Sequence, residues 1–323
     1  MQILDTKIGL SNKPFIIADM SGNHNQSLDH ALSIVYAASE AGVDAIKLQT
    51  YAADTITLNV KSKDFPICDK ESLWSKEYVY DFYSKTHTPW EWHKPIIDLA
   101  QGLGLIYFSS PFDSSEVDSL EELNVPAYKI ESFENNHLPL IKKILKLKKP
   151  VIISSGFSSL ANLDEVYLTA QKFKAKNFAF LKCTSTYPAN PKDSNLKTIK
   201  HIRNLFNCEV GLSDHTQSIG TSLIAIAFGA TILEKRLTLS RKKGGVDSAF
   251  SLEPKEMKQL VIESIRAWKS IGNIKYGPTK KEKKSLKFRR QIYVSKDINK
   301  ADNILVKNVS TTGSGYGIQP KYF

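Results

Sequence analysis

Hydrophobic residues come along this chain in eight short runs, most of them closing on charged or hydroxyl side chains. They read FIIADM (15–20), DAIKLQ (44–49), LIYFSS (105–110), AYKIES (127–132), PVIISS (150–155), FAFLKC (178–183), EVGLSD (209–214) and TILEKR (231–236). Apolar bodies with little alternation suit parallel strands buried on both faces. Between the runs, apolar positions fit helices over 28–41, 89–101, 114–123, 138–147, 160–174, 195–206, 218–228 and 254–271. Gly42 is placed to end the first helix, and 114–123 opens with a serine cap candidate and acidic residues that the helix dipole favours. Eight strand–helix repeats in about 270 residues predict an α/β fold, one (β/α)₈ TIM barrel. A doubly wound open sheet, the competing arrangement, calls for a glycine-rich phosphate turn after its first strand, and SGNHNQ (21–26) is not one.

In such a barrel the polar strand ends share one rim, where catalytic groups of this architecture sit. Asp19, Lys47, Gln49, Ser110, Lys129, Ser154, Ser213 and His215 are expected to meet there. Lysines with several hydroxyls suit an anionic ligand carrying phosphate or carboxylate. Lys129 is the strongest single candidate, because a lysine inside an apolar strand is costly without an anionic partner. A Schiff-base role for Lys129 or Lys182 is the alternative chemistry. His215 follows Asp214 at the end of the seventh run, the context of a metal ligand or acid–base group, while His24 and His137 have weaker context. Asp247 in GGVDSAFS (244–251) reads as a substrate-contacting carboxylate or a turn residue.

The connection 51–88 is longer than an ordinary loop and is expected to form a lid or a partner-binding excursion. After Gly277-Pro278 the pattern changes, and QIYVSKDI (291–298) and DNILVKNVS (302–310) predict strands of a small β module before GSGYG (313–317). The expected organisation is a barrel over 1–273, a basic linker over 274–290 and a small module over 291–323, too short for an independent core.

Charge refines this picture. The net charge of +11 is concentrated in residues 274–323, which hold 12 Lys and Arg against 3 Asp and Glu, leaving about +2 on the rest. KKEKKSLKFRR (280–290) therefore reads as a solvated linker; without a recognition-helix, zinc-finger or RNP signature beside it, no nucleic-acid partner is expected. No apolar run reaches the ~18–20 residues that span a bilayer, and MQILDTKIGL has no signal-peptide pattern, so no membrane partner is expected. Three cysteines, Cys68, Cys183 and Cys208, lack metal-type spacing and read as reduced thiols of a cytoplasmic protein.

Several segments carry a resemblance: ADMSGNHNQSLDHAL, DAIKLQTYAADTITL, FSSPFDSSEVDSLEELNVPAYKIESFENNHLPLI, GLSDHT and GGVDSAFSLEP. Together they resemble the sialic acid synthase family, and most its pseudaminic acid synthase branch. The resemblance implies condensation of phosphoenolpyruvate with an N-acetylated amino sugar of the 2,4-diacetamido-2,4,6-trideoxy-altrose type, giving pseudaminic acid and phosphate. It implies a barrel joined to a small antifreeze-like (SAF) domain, here an apparently truncated β module, and a swapped homodimer. Lys47 and Lys129 would hold the phosphate and carboxylate of phosphoenolpyruvate, with Ser110, Ser132, Ser154, Ser185 and Ser213 as hydroxyl donors. Gln49, Tyr51, Phe112, Glu134, Tyr187 and Asp247 would face the sugar, and His215 would ligate a divalent metal, Mn or Mg.

Three positions depart from that pattern. The first-strand motif has Asp19 where the family has glutamate, Gly313 stands where the C-terminal module has arginine, and Glu234-Lys235-Arg236 replaces E-K-H, so the second metal histidine is an arginine. Guanidinium has no free lone pair and cannot ligate a metal. Because first and last strands adjoin in a closed barrel, Asp19 and Arg236 are expected to pair, the guanidinium standing in the metal's place. Two outcomes follow: Arg236 polarises the sugar aldehyde without metal, or the chain is a non-catalytic relative. A sialic or legionaminic acid synthase is the further alternative.

Overall fold

The computed structural model describes residues 1–67, 75, 77–313 and 315–322. Cys68 lies outside the described residues. The chain divides into two compact units, Met1–Ile271 and Gly272–Phe323. In the first, eight parallel strands close into a barrel: β1 (Phe15–Asp19), β2 (Ala45–Thr50), β3 (Ile106–Pro111), β4 (Tyr128–Ile130), β5 (Val151–Ser154), β6 (Phe178–Cys183), β7 (Glu209–Asp214) and β8 (Ile232–Arg236). β8 pairs with β1 in a register that sets Ile232 opposite Phe15 and Arg236 opposite Asp19. Between and after the strands run α1 (Leu28–Ala41), α2 (Trp90–Gly102), α3 (Ser114–Glu122), α4 (Leu138–Lys146), α5 (Leu160–Lys172), α6 (Lys197–Phe206), α7 (Gly220–Ala227) and α8 (Pro254–Ile271). The (β/α)₈ expectation is met.

Local sequence explains the helix boundaries. The Ser27 hydroxyl accepts from the His30 amide at the start of α1, and Gly42 ends that helix at φ 81°, a conformation open to glycine. For α3 the cap is Asp113 rather than a serine. Its carboxylate accepts from the Ser115 amide at 2.7 Å, while Glu116 reaches back to the Asp113 amide at 2.9 Å.

Side-chain alternation divides each strand into an outer and an inner column. Outward residues such as Ile16, Ala18, Ile46, Leu48, Tyr128, Ile153, Phe180 and Leu233 join the helices in one core. Inward residues change character along the strand. Phe15, Ile17, Ala45, Ile106, Phe108, Ala127, Ile152, Ala179, Leu181 and Ile232 fill the lower interior, and Ile3 and Ile8 of the N-terminal segment close it from below. Ile3 belongs to a two-residue strand, Gln2–Ile3, paired antiparallel with Thr6–Lys7. Each fully buried Ile, Leu or Phe there is worth roughly 1.5–3 kcal/mol of transfer free energy. The next inward positions up are Asp19, Lys47, Ser110, Lys129, Ser154, Cys183, Ser213 and Glu234, all buried. The upper interior is thus polar where the lower is oil.

The second unit pairs β9 (Arg290–Val294) antiparallel with β10 (Val309–Gly313). The expected strand over 302–310 is corrected: Val306–Asn308 makes a single tight helical turn, and the ladder begins only at Val309. Within the expected linker, Glu282–Phe288 forms a short 3₁₀ helix. No described residue of this unit is buried. Among the described residues no helix is long and apolar enough to cross a membrane.

Candidate active site

The two lysines of the sequence reading do converge inside the upper barrel, and both are fully buried. Lys47 Nζ lies 3.3 Å from Asp19, 3.0 Å from Glu234 and in tight contact with Glu131. Lys129 Nζ lies 2.8 Å from Glu131 and 3.7 Å from Glu234. Ser110 donates to Glu131 at 2.5 Å, and Ser213 to Glu234 at 3.3 Å. Two ammonium groups therefore meet three carboxylates, which a bare cationic cup would not contain. Burial would raise the Glu131 carboxyl, but Lys129 and Lys47 outweigh it and hold it well below the usual carboxylate range. Asp19 goes the other way, raised because its burial exceeds the pull of Lys47 and Arg236.

A second cluster lies around Arg236. Its Nε is 3.6 Å from Asp19, and its closer ion pair is with Asp247, whose other carboxylate oxygen accepts from Ser21 at 2.6 Å. The expected Asp19–Arg236 pair is present, with Asp247 as the nearer partner. The guanidinium also packs on the rings of Tyr187 and Phe250, 5.0 and 5.1 Å from their centroids. Among the described residues its Nε and one terminal nitrogen, the two that face Asp19 and Asp247, make ion pairs without a well-aligned hydrogen bond.

His215 shares those aromatic walls, 4.7 Å from the Tyr187 ring. Its Nδ1 lies 3.1 Å from the Thr184 carbonyl and 3.8 Å from Cys183 Sγ. Burial would raise the Cys183 thiol, but His215 and the Ser132 and Ser185 hydroxyls bring it down to about 6. Against the opposing effect of burial, Cys183 raises His215. A single histidine beside the permanent cation of Arg236 does not fit a divalent metal, and among the described residues no group of three His, Cys, Asp or Glu is arranged to hold one. His215, the expected metal ligand, turns its Nδ1 to the Thr184 carbonyl and Cys183.

A third cluster is built of hydroxyls. Ser132, Ser154 and Ser185 gather at the ends of β4, β5 and β6, where a Cβ on Gly156 would overlap the Ser132 and Ser185 hydroxyl oxygens. Asn135 pins this turn by donating to the Ser154 and Gly156 carbonyls at 3.0 and 2.7 Å. Among the described residues the buried Ser154 hydroxyl meets no partner.

Above the clusters opens a cavity of about 550 Å³. Gln49, Tyr51, Phe112, Tyr187 and Asp247 line it, with Ser185, Arg236 and Glu131. Lys47, Lys129, Ser110, Ser132, Ser154, Ser213 and His215 lie outside the lining, and so does Glu134. The long excursion forms part of the wall through Ile67, Val79, Phe82, Tyr83 and Thr86, and Tyr51 hydrogen-bonds Thr86 at 2.7 Å.

The remaining candidates have partners of their own. Lys182 is one residue off the inward column and bonds the Cys183 carbonyl and Thr184 hydroxyl. Asp214 ties Lys235, Thr216 and Ser222 together. His24 is buried and pushed down to about 4, chiefly by that burial. Glu131, Ser21, Gly156 and Phe250 were not foreseen. Counting two residues on from Lys129 along an inward column was the available signal for Glu131.

The comparisons agree with this architecture. The NeuB family model matches residues 34–276. The chain is 40% identical over 311 residues to a pseudaminic acid synthase of Campylobacter jejuni subsp. jejuni serotype O:2, covering 96% of this chain and 90% of that one. It is 36% identical to a pseudaminic acid synthase of Helicobacter pylori, covering 96% and 91%. The crystal structure of an N-acetylneuraminic acid (sialic acid) synthetase from Leptospira borgpetersenii serovar Hardjo-bovis superposes with a TM-score of 0.79 at 29% identity, covering 90% of this chain and 95% of that one. Barrel, site and sequence together make this chain a member of the NeuB family, the sialic acid synthase family, close to the pseudaminic acid synthases.

Proposed function

We propose that the protein condenses phosphoenolpyruvate with a 2,4-diacetamido-2,4,6-trideoxy-altrose type sugar, giving pseudaminic acid and phosphate. The observation that carries the reading is 40% identity to a pseudaminic acid synthase across 96% of the chain, joined to two buried lysines at barrel strand ends beneath a sugar-sized cavity. Lys47 and Lys129, with the serines of β3 to β7, take the phosphate and carboxylate of phosphoenolpyruvate. Gln49, Tyr51, Phe112 and Tyr187 face the sugar. C3 of the enol attacks the aldehyde carbon, the carbonyl π bond breaks, and its oxygen stays on the product as an alkoxide that takes up a proton to become a hydroxyl. Water adds to the oxocarbenium-like C2, gives up a proton, and phosphate departs. Arg236, fixed by Asp247 and Asp19 and lining the cavity, brings its positive charge to the developing alkoxide, a preorganised charge that costs no rearrangement.

A homodimer and a cytoplasmic location complete the reading. A small unit without a buried side chain supports the first, since it needs a surface to lean on, and unpaired Cys183 and Cys208 support the second.

A second reading, a non-catalytic relative, is favoured by the carboxylates already paired with the lysines. Phosphate release from phosphoenolpyruvate with a panel of N-acetylated amino sugars, with chelator or added manganese, separates the two. Turnover that survives chelator and falls about 100-fold in Arg236→Ala is expected. Turnover abolished by chelator removes the arginine assignment, and no release with any sugar leaves the non-catalytic reading.

A further inference from the structure

Glu131 follows β4 directly and stands one inward step above Lys129. One carboxylate oxygen contacts Lys47 and accepts from Ser110, and the other lies 2.8 Å from Lys129. These are three of the groups that an incoming phosphate or carboxylate would take. The Glu131 side chain is 16% exposed and lines the cavity, whereas both lysine side chains are 0% exposed and do not. A carboxylate of the chain itself thus lies between the cavity and the cations.

Charge balance sharpens the point. Glu131, Glu234 and Asp19 already face the two lysines, with Arg236 as a further partner of Asp19, so an incoming anion competes with a carboxylate already in place. Asp19 and Glu234 are each 3% exposed and wedged below. Of these three carboxylates it is Glu131 that lines the cavity.

We propose that Glu131 is the resting occupant of the anion position, sets the affinity for the anionic substrate, and swings into the cavity when that substrate binds. The identity of the anion as phosphoenolpyruvate rests on the proposed function; displacement itself is a property of any small oxyanion. In the resting geometry Lys129 and Lys47 hold the Glu131 carboxyl well below the usual carboxylate range.

The test uses the full chain with Glu131→Gln, which keeps the shape, and Glu131→Ala. Calorimetric titration with inorganic phosphate and with phosphoenolpyruvate is expected to give about tenfold tighter binding in both variants than in wild type. The KM for phosphoenolpyruvate should fall with them. Equal or weaker phosphate binding in Glu131→Gln overturns the proposal. Should a variant not fold, a crystal structure of the wild type with phosphate decides. Glu131 turned away from Lys47 and Lys129 supports displacement, and Glu131 still bound to both with phosphate elsewhere overturns it. Tighter phosphate binding without turnover on any sugar sinks the proposed function and leaves this inference standing.

Discussion

Glu134 follows Glu131 by three residues, half-buried, with one carboxylate oxygen that meets no partner among the described residues. Its burial, with the charge of Glu131 beside it, pushes the carboxyl up to about 8 from 4.5. Over that interval the folded chain binds the proton more tightly than the unfolded one, so stability is fully present below pH 4.5 and drains as pH rises through 8. The urea midpoint of the wild type is therefore expected to fall, relative to that of Glu134→Gln, between about pH 5 and about pH 8. A constant difference between the two proteins would refute the assignment. At this scale the sequence was informative about cations and blind to their neutralisation. Lys47 and Lys129 stand out because a lysine in an apolar run is anomalous. Glu131 does not, because the glutamate in KIES looks like an ordinary strand terminus until the inward column is drawn through it. Arg236 was legible as a departure, yet its preference for Asp247 depends on the fold of the loop after β8.

Each barrel strand behaves as a two-faced rod, and its usefulness comes from the turn that follows it. The turn after β5 needs a residue without a side chain at 156, because the hydroxyls of Ser132 and Ser185 occupy the space. Gly156→Ala is expected to cost about 1–3 kcal/mol in chemical denaturation and to weaken phosphate binding, since the added methyl displaces those two donors together. Unchanged phosphate affinity would detach this turn from the anion position. The eight strands were readable because burial on both faces writes an unbroken apolar run. Helix starts were less so, with Asp113 taking the cap from the serines beside it. The strand Gln2–Ile3 was invisible, as two residues carry no periodicity. DNILVKNVS misled because Ile304, Leu305 and Val306 look like strand residues, yet they are 48–72% exposed and the ladder starts beyond them.

For the molecule as a whole, the division of labour runs along the barrel axis, stability below and chemistry above. Ile3 is completely buried in the lower layer, and truncating it should cost about 2–5 kcal/mol without touching the ligand groups. Ile3→Ala is expected to lower the urea midpoint while phosphate affinity stays at the wild-type value; a parallel loss of affinity would mean that the two layers are coupled. The register of β8 against β1 carries one more consequence. A ribosome that has delivered seven of these strands has made one half of the salt-linked couple at the seam and not the other. No nascent barrel holds the finished pocket, so sugar and enol phosphate are handled only by chains whose cylinder has shut.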